Sequence, residues 1–244
     1  MEAIAPTTAK RDWAAVLFAL VLPTVVTLAY FVMAADASPI VQQITYGVAK
    51  PFQFLFPIAW VLFVQRRIVR LWPWSSKGVL TGLLFGLAVS ATMLALYHFG
   101  LKSTAFFAAA AEEIQAKIAG MDLSSPAVFI TVGVFYSLIH SLLEEYYWRW
   151  FVFGQLTELT SLIPAIVVSS LGFMAHHVLV IGTYFGFASP VTWLFSLGVA
   201  IGGAVWAWLY HRTGSLLGPW ISHLLVDAAI FTAGYEIARP LLEK

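Results

Sequence analysis

Two adjacent carboxylates and an arginine stand inside a long apolar run, Leu142-Leu143-Glu144-Glu145-Tyr146-Tyr147-Trp148-Arg149. A charge at the centre of a bilayer costs about 3 kcal/mol on insertion scales, so ionisable residues at such depth need partners and are functional candidates by default. Two further apolar runs carry imidazole and carboxylate. One is Phe173-Met174-Ala175-His176-His177 and the other His223-Leu224-Leu225-Val226-Asp227. A glutamate can act as general base on water while His and Asp polarise a carbonyl. The same groups can also hold a zinc ion with one position open for water. Spacing does not separate these two chemistries.

Helical geometry suggests how the charges divide. Glu145 and Arg149 are i,i+4 neighbours, the spacing at which Glu and a following cation pair. Glu144 points about 100° away around the helix. The expectation is an internal Glu145–Arg149 pair, with Glu144 as the carboxylate left for chemistry. His140 lies i−4 from Glu144 and could orient it. His176 and His177 point about 100° apart, so only one of them should face a shared cavity. His223 and Asp227 are i,i+4 and share a face. Tyr146, Tyr147 and Trp148 are expected to pack in a bundle or to line a cavity.

The elements that would position these groups are membrane helices. The chain has 244 residues, 61% hydrophobic and only 10% charged, where a soluble domain carries about 25% charge. Its net charge of +1 gives no electrostatic case for nucleic acid. There is no cysteine, which excludes disulfides, thiolate metal sites and a cysteine nucleophile.

Lys10-Arg11 precedes an apolar run long enough to span, read as a retained first helix of about 13–34. After a loop containing Asp36 and Pro39, a second helix covers about 46–64, with Lys50-Pro51 near its start and Pro57 inside. A basic segment follows with Arg66, Arg67, Arg70 and Lys77, and with Trp72 and Trp74 as interface anchors. A third helix spans about 78–97. Its glycines at 78, 82 and 86 recur every four residues and would let another helix approach. Residues 101–122 read as an amphipathic interfacial helix that could alternatively insert. Four more helices follow at about 126–156, 164–184, 191–210 and 216–235, with Gly198 and Gly202 as packing positions in the sixth. The fold class is an all-α polytopic bundle of seven spans, or eight if 101–122 crosses. Residues 1–125 form an N-terminal part and 126–244 hold the chemistry. In this topology seven Lys and Arg residues fall on the N-terminal side against five on the other, which puts the N-terminus in the cytoplasm.

Glu144-Glu145-x-x-x-Arg149, Phe173-x-x-x-His177 and His223-x-x-x-Asp227, in this order on successive apolar segments, resemble the CPBP family. These are the CAAX-protease and bacteriocin-processing intramembrane endopeptidases, also called the ABI family. The resemblance covers about residues 126–235. It implies peptide-bond hydrolysis by an activated water within a helical membrane bundle of a bacterial or archaeal plasma membrane. By position, Glu144 would activate the water. His177 would help hold it or a divalent metal such as zinc, and His223 and Asp227 would complete the site or stabilise the oxyanion; if a metal is held, its set would be Glu144, His177, His223 and Asp227. Glu145 and Arg149 would be the supporting pair. The implied partners are membrane lipids and a membrane-associated or prenylated protein substrate. Many members carry Asn where Asp227 stands, and the added negative charge favours a cation there. His176 could replace His177 only if Gly172 took the place of Phe173. The competing readings are a non-catalytic immunity or membrane-chaperone protein and a proton-coupled transporter. No His-Glu-x-x-His, Gly-x-Ser-Gly or Gly-x-Gly-Asp of other protease classes occurs in the chain.

Overall fold

The computed structural model describes residues 6–34, 37–69, 75–120 and 125–243. The expectations placed on Asp36, Arg70, Trp72, Trp74, Asp122 and Lys244 lie outside the described residues. Eight helices carry the description. They are α1 (Ala9–Met33), α2 (Ile40–Val64), α3 (Val79–Leu101), α4 (Ala105–Gly120), α5 (Pro126–Leu159), α6 (Leu162–Phe185), α7 (Pro190–Thr213) and α8 (Leu217–Leu242). All but α4 are long and apolar enough to cross a membrane. The fold is therefore an all-α polytopic bundle with seven candidate spans among the described residues.

Three helix ends differ most from expectation, and the first helix begins at Pro6 and not near Trp13. The helix containing α2 begins at Pro39, behind Ser38 as N-cap, because proline's fixed φ and missing N–H suit the first helical position. The last helix continues to Leu242, past the apolar stretch that marked its end in the sequence. The long α5 is not uniform either. π-helical turns run over Tyr136–His140 and Tyr146–Phe153, with α-helical turns between them at Ser141–Glu145. Such wide i→i+5 turns concentrate at functional sites. The i,i+4 reading of Glu145 and Arg149 assumed α-helical turns, whereas Arg149 stands in a π-helical stretch.

The chain divides into two compact units, Met1–Pro73 with Tyr146–His211, and Trp74–Glu145 with Arg212–Lys244. Each unit takes helices from both sides of residue 125, and the boundary within α5 falls between Glu145 and Tyr146.

In the first unit the C-terminal part of α5 is the core. Tyr147, Trp148, Phe151 and Phe153 are all but fully buried. Phe54 meets the Tyr147 ring edge-on at 6.1 Å and Phe56 meets Phe151 at 5.7 Å. Polar side chains tie the helix ends. Gln65 donates to Gln155 at 2.7 Å and to Asp12 at 3.3 Å, and Arg67 pairs with Glu158 at 2.8 Å. Of the expected packing glycines in α7, Gly198 has open space where a side chain would stand and Gly202 meets only Trp206 of its own helix. Gly203 is the close contact, where a Cβ would stand 3.3 Å from the Phe173 ring and 3.6 Å from Ser170. The every-four spacing picked the right helix and the wrong face of it.

In the second unit α3 crosses α8 so closely that a Cβ on Gly82 would stand 2.1 Å from the Gly218 carbonyl oxygen. A Cβ on Gly86 would stand 2.8 Å from the Ser222 Cα. These two glycines do pack as expected, and Gly78 has a further role at the start of the helix. It is a left-handed N-cap with φ 81°, a conformation glycine adopts without steric cost. Helix α4 lays Ile118 into a cluster with Phe129, Ala238 and Leu242, and Gln115 donates to the Ile237 carbonyl at 2.8 Å. The amphipathic pattern of 101–122 thus produces a helix with one face buried on α8.

Candidate active site

Within the second unit, His223 gathers the carboxylates. Its position follows from the close α3–α8 crossing, since Ser222, which Gly86 abuts, is its chain neighbour. The Trp220 indole N–H donates to the Leu138 carbonyl at 3.0 Å and fixes α8 against the π-helical turn of α5. His223 Nδ1 donates to Glu145 Oε1 at 2.8 Å. On the other side of the ring, Nε2 stands 3.6 Å from Glu144 Oε2 and 3.7 Å from Asp227 Oδ1. His140 Nδ1 stands 3.9 Å from Glu144 Oε2, and its ring stacks near Tyr136 at 4.8 Å. Glu144, Glu145 and His223 are buried and Asp227 is half-buried. Three carboxyl groups around one imidazole repel one another unless a proton or a cation is shared among them.

The first unit holds the other candidates. His177 Nδ1 bonds the Phe173 carbonyl at 2.9 Å. A carbonyl only accepts, so Nδ1 carries the proton and Nε2 the lone pair. This is the physical content of the Phe-x-x-x-His spacing, in which the carbonyl one turn back sets the tautomer. Phe173 also packs its ring 4.6 Å from His177. His176 stacks almost parallel on Trp148, at 5.7 Å and 6°. Arg149 is buried with its guanidinium 4.7 Å above the Phe173 ring and 5.1 Å from that of Trp206, a cation–π arrangement suited to a charge held out of water. Phe173 therefore serves both Arg149 and His177.

Residues 126–229 match the family model described as type II CAAX prenyl endopeptidase Rce1-like. That stretch is similar to the Rce1-like family. The Rce1-like segment contains every candidate named above, from His140 to Asp227, and it coincides with the stretch that resembles the CPBP endopeptidases. No curated protein and no solved structure matches the chain.

The donor types around His223 are those that zinc accepts. A histidine with one ring nitrogen on a carboxylate and the other turned toward acidic oxygens has the outer-shell pattern of a metal ligand. Among the described residues, no group of three His, Asp or Glu side chains is arranged as it stands to hold a metal ion. Sequence reasoning missed the Glu145–His223 hydrogen bond. The partners lie 78 positions apart, and nothing local to either one signals the other.

Proposed function

We propose that the protein is an intramembrane endopeptidase that hydrolyses a peptide bond of a membrane-associated or lipidated, CAAX-like protein. The observation that carries this reading is the placement of His223 between Glu145 on Nδ1 and Glu144 and Asp227 on the Nε2 side, within the Rce1-like segment. Glu144 is the general base. It takes a proton from water as the oxygen attacks the peptide carbonyl carbon, and it later passes that proton to the leaving amine. His223, held by Glu145, presents Nε2 beside Glu144 and Asp227. When Nε2 holds a proton it donates to the oxyanion, and Asp227 balances the charge. His177 supplies a second imidazole with a fixed tautomer for holding the water. Glu145 and Arg149 form the supporting set, the first through His223 and the second through its aromatic cradle.

A divalent cation such as zinc would need Glu144, His223 and Asp227 to draw closer than they stand, and would then supply Lewis-acid polarisation of the carbonyl and a more acidic water; by its motif position His177 is proposed as a further donor. The N-terminus lies on the cytoplasmic side of a bacterial or archaeal plasma membrane, by the bias of basic residues in the segment after α2.

The test is cleavage of a panel of prenylated CAAX peptides and transmembrane-segment peptides by the purified protein and by Glu144→Gln, each with and without a chelator. Cleavage that disappears in the variant supports the assignment. A chelator that abolishes wild-type cleavage, with recovery on adding zinc, supports the cation. Equal turnover by wild type and Glu144→Gln removes Glu144 from the reaction.

A further inference from the structure

The two residues that follow the acidic pair, Tyr146 and Tyr147, end on backbone groups of helices broken by proline. Proline has no N–H, and in a helix interior its ring pushes the carbonyl four residues back out of line. In α1 the proline is Pro23, which leaves the carbonyl of Ala19 without its helical donor. The Tyr147 hydroxyl donates to that same oxygen at 2.7 Å. α2 carries Pro51 and Pro57 in its interior, and the second is the one in question. One residue on, the Tyr146 hydroxyl stands in the opened turn, accepting from the Ile58 N–H at 3.1 Å and donating to the Phe54 carbonyl at 3.2 Å. Ile58 and Phe54 are the i, i−4 partners of a regular turn, so this hydroxyl joins both ends of one rung of the helix. Both tyrosines are buried, and in hydrocarbon an unsatisfied backbone group costs several kcal/mol. Each hydroxyl therefore has a strong preference for one address.

We infer that Tyr146 and Tyr147 are positioning residues, each hydroxyl held at a proline-bearing turn, which together fix the rotation and height of the α5 turn that directly follows Glu144 and Glu145. Tyr146 and Tyr147 point in different directions from the π-helical turn, so anchors on two different helices restrain α5 against both turning and sliding. Bulk packing alone would restrain it less, because aromatic and aliphatic neighbours tolerate small shifts that a hydroxyl–carbonyl bond does not. The consequence for catalysis rests on the endopeptidase reading. The mechanical claim does not.

The test uses the full-length protein in detergent with Tyr146→Phe and Tyr147→Phe, which delete one oxygen each and keep the ring. Amide hydrogen exchange is followed in 141–149, in 15–27, in 50–62 and in 217–242. The expectation is exchange about tenfold faster in 141–149 for both variants, from the loss of about one hydrogen bond, with 217–242 unchanged. Faster exchange confined to 50–62 in Tyr146→Phe and to 15–27 in Tyr147→Phe, with 141–149 at the wild-type rate, overturns the inference and leaves the hydroxyls as local plugs of their own helices.

A second arm adds Pro23→Ala to Tyr147→Phe. The new N–H at 23 satisfies the Ala19 carbonyl, so thermal stability recovers, while exchange in 141–149 stays fast because the anchor is still missing. Recovery of both overturns the positioning role. Peptide cleavage is read on the same samples, with kcat expected to fall about tenfold at nearly constant KM. If the wild type cleaves no peptide, the endopeptidase reading fails on its own and the exchange results still decide the positioning role.

Discussion

The hydrogen bond from His223 Nδ1 to Glu145 Oε1, 2.8 Å long and buried, makes the second glutamate of the acidic pair the holder of the imidazole. A carboxylate on one ring nitrogen fixes both the orientation of the ring and which nitrogen is presented to the chemistry, and its loss costs activity without removing any reacting group.

Glu145→Gln keeps the shape and removes the charge. The expected outcome is kcat lower by about 10- to 100-fold, with a folded protein and little change in KM. Steady-state kinetics beside Glu144→Gln checks it. Unchanged kcat in Glu145→Gln would show that the Nδ1 bond does not steer the ring.

Substitution of the α3 glycines tests the crossing that places His223. Gly82→Ala puts a methyl 2.1 Å from a backbone oxygen and Gly86→Ala puts one 2.8 Å from Ser222 Cα. Both contacts are with backbone that has to move. Overpacking of this kind costs about 1–3 kcal/mol, so both variants should unfold at lower temperature, Gly82→Ala the more so. Gly198→Ala, which meets open space, is the control and should melt like the wild type or slightly higher, since alanine favours a helix. Three identical melting curves would contradict the α3–α8 contact.

Much of this arrangement was legible in the sequence, and the rest was hidden for identifiable reasons. Hydropathy reveals the spans because length and apolar content are local properties. Glu144, His177, His223 and Asp227 stand out because a bilayer makes polar residues conspicuous. The partner of Glu145 was hidden because it comes from another helix, far along the chain. The π-helical turns at Tyr136–His140 and Tyr146–Phe153 carry no compositional mark, so an even α-helical rotation was assumed through them. Pro57 was readable as a proline inside a helix. That the Tyr146 hydroxyl reaches the turn beside it needed the structure.

The aromatic cradle of Arg149 gives a prediction about charge type. A planar guanidinium lies against the Phe173 and Trp206 rings at 4.7 and 5.1 Å. Lysine keeps the charge but neither the plane nor the five donors. Arg149→Lys should therefore destabilise the protein by about 1–3 kcal/mol, and Arg149→Ala by more, because it also empties the space between the Phe173 and Trp206 rings. Glu144→Gln should melt close to the wild type by comparison. Similar melting temperatures for Arg149→Lys and Glu144→Gln would mean that charge alone is what the site needs.

The adjacent histidines of α6 should separate by phenotype. His177 has its Nδ1 proton on the Phe173 carbonyl, so its Nε2 lone pair is set for a water or a cation, and His177→Gln should lose hydrolysis while the protein stays folded. His176 is buried flat against Trp148 at 5.7 Å, so its ring fills space between aromatics, and large-to-smaller changes in such places cost stability first. His176→Gln should lower the melting temperature and keep kcat within a few-fold of the wild type when assayed well below the transition. Cleavage kinetics and thermal unfolding on both variants decide between the two roles. The reverse pattern, with His176→Gln inactive but stable and His177→Gln active, would move the imidazole of the site by one residue and withdraw Phe173 from its definition.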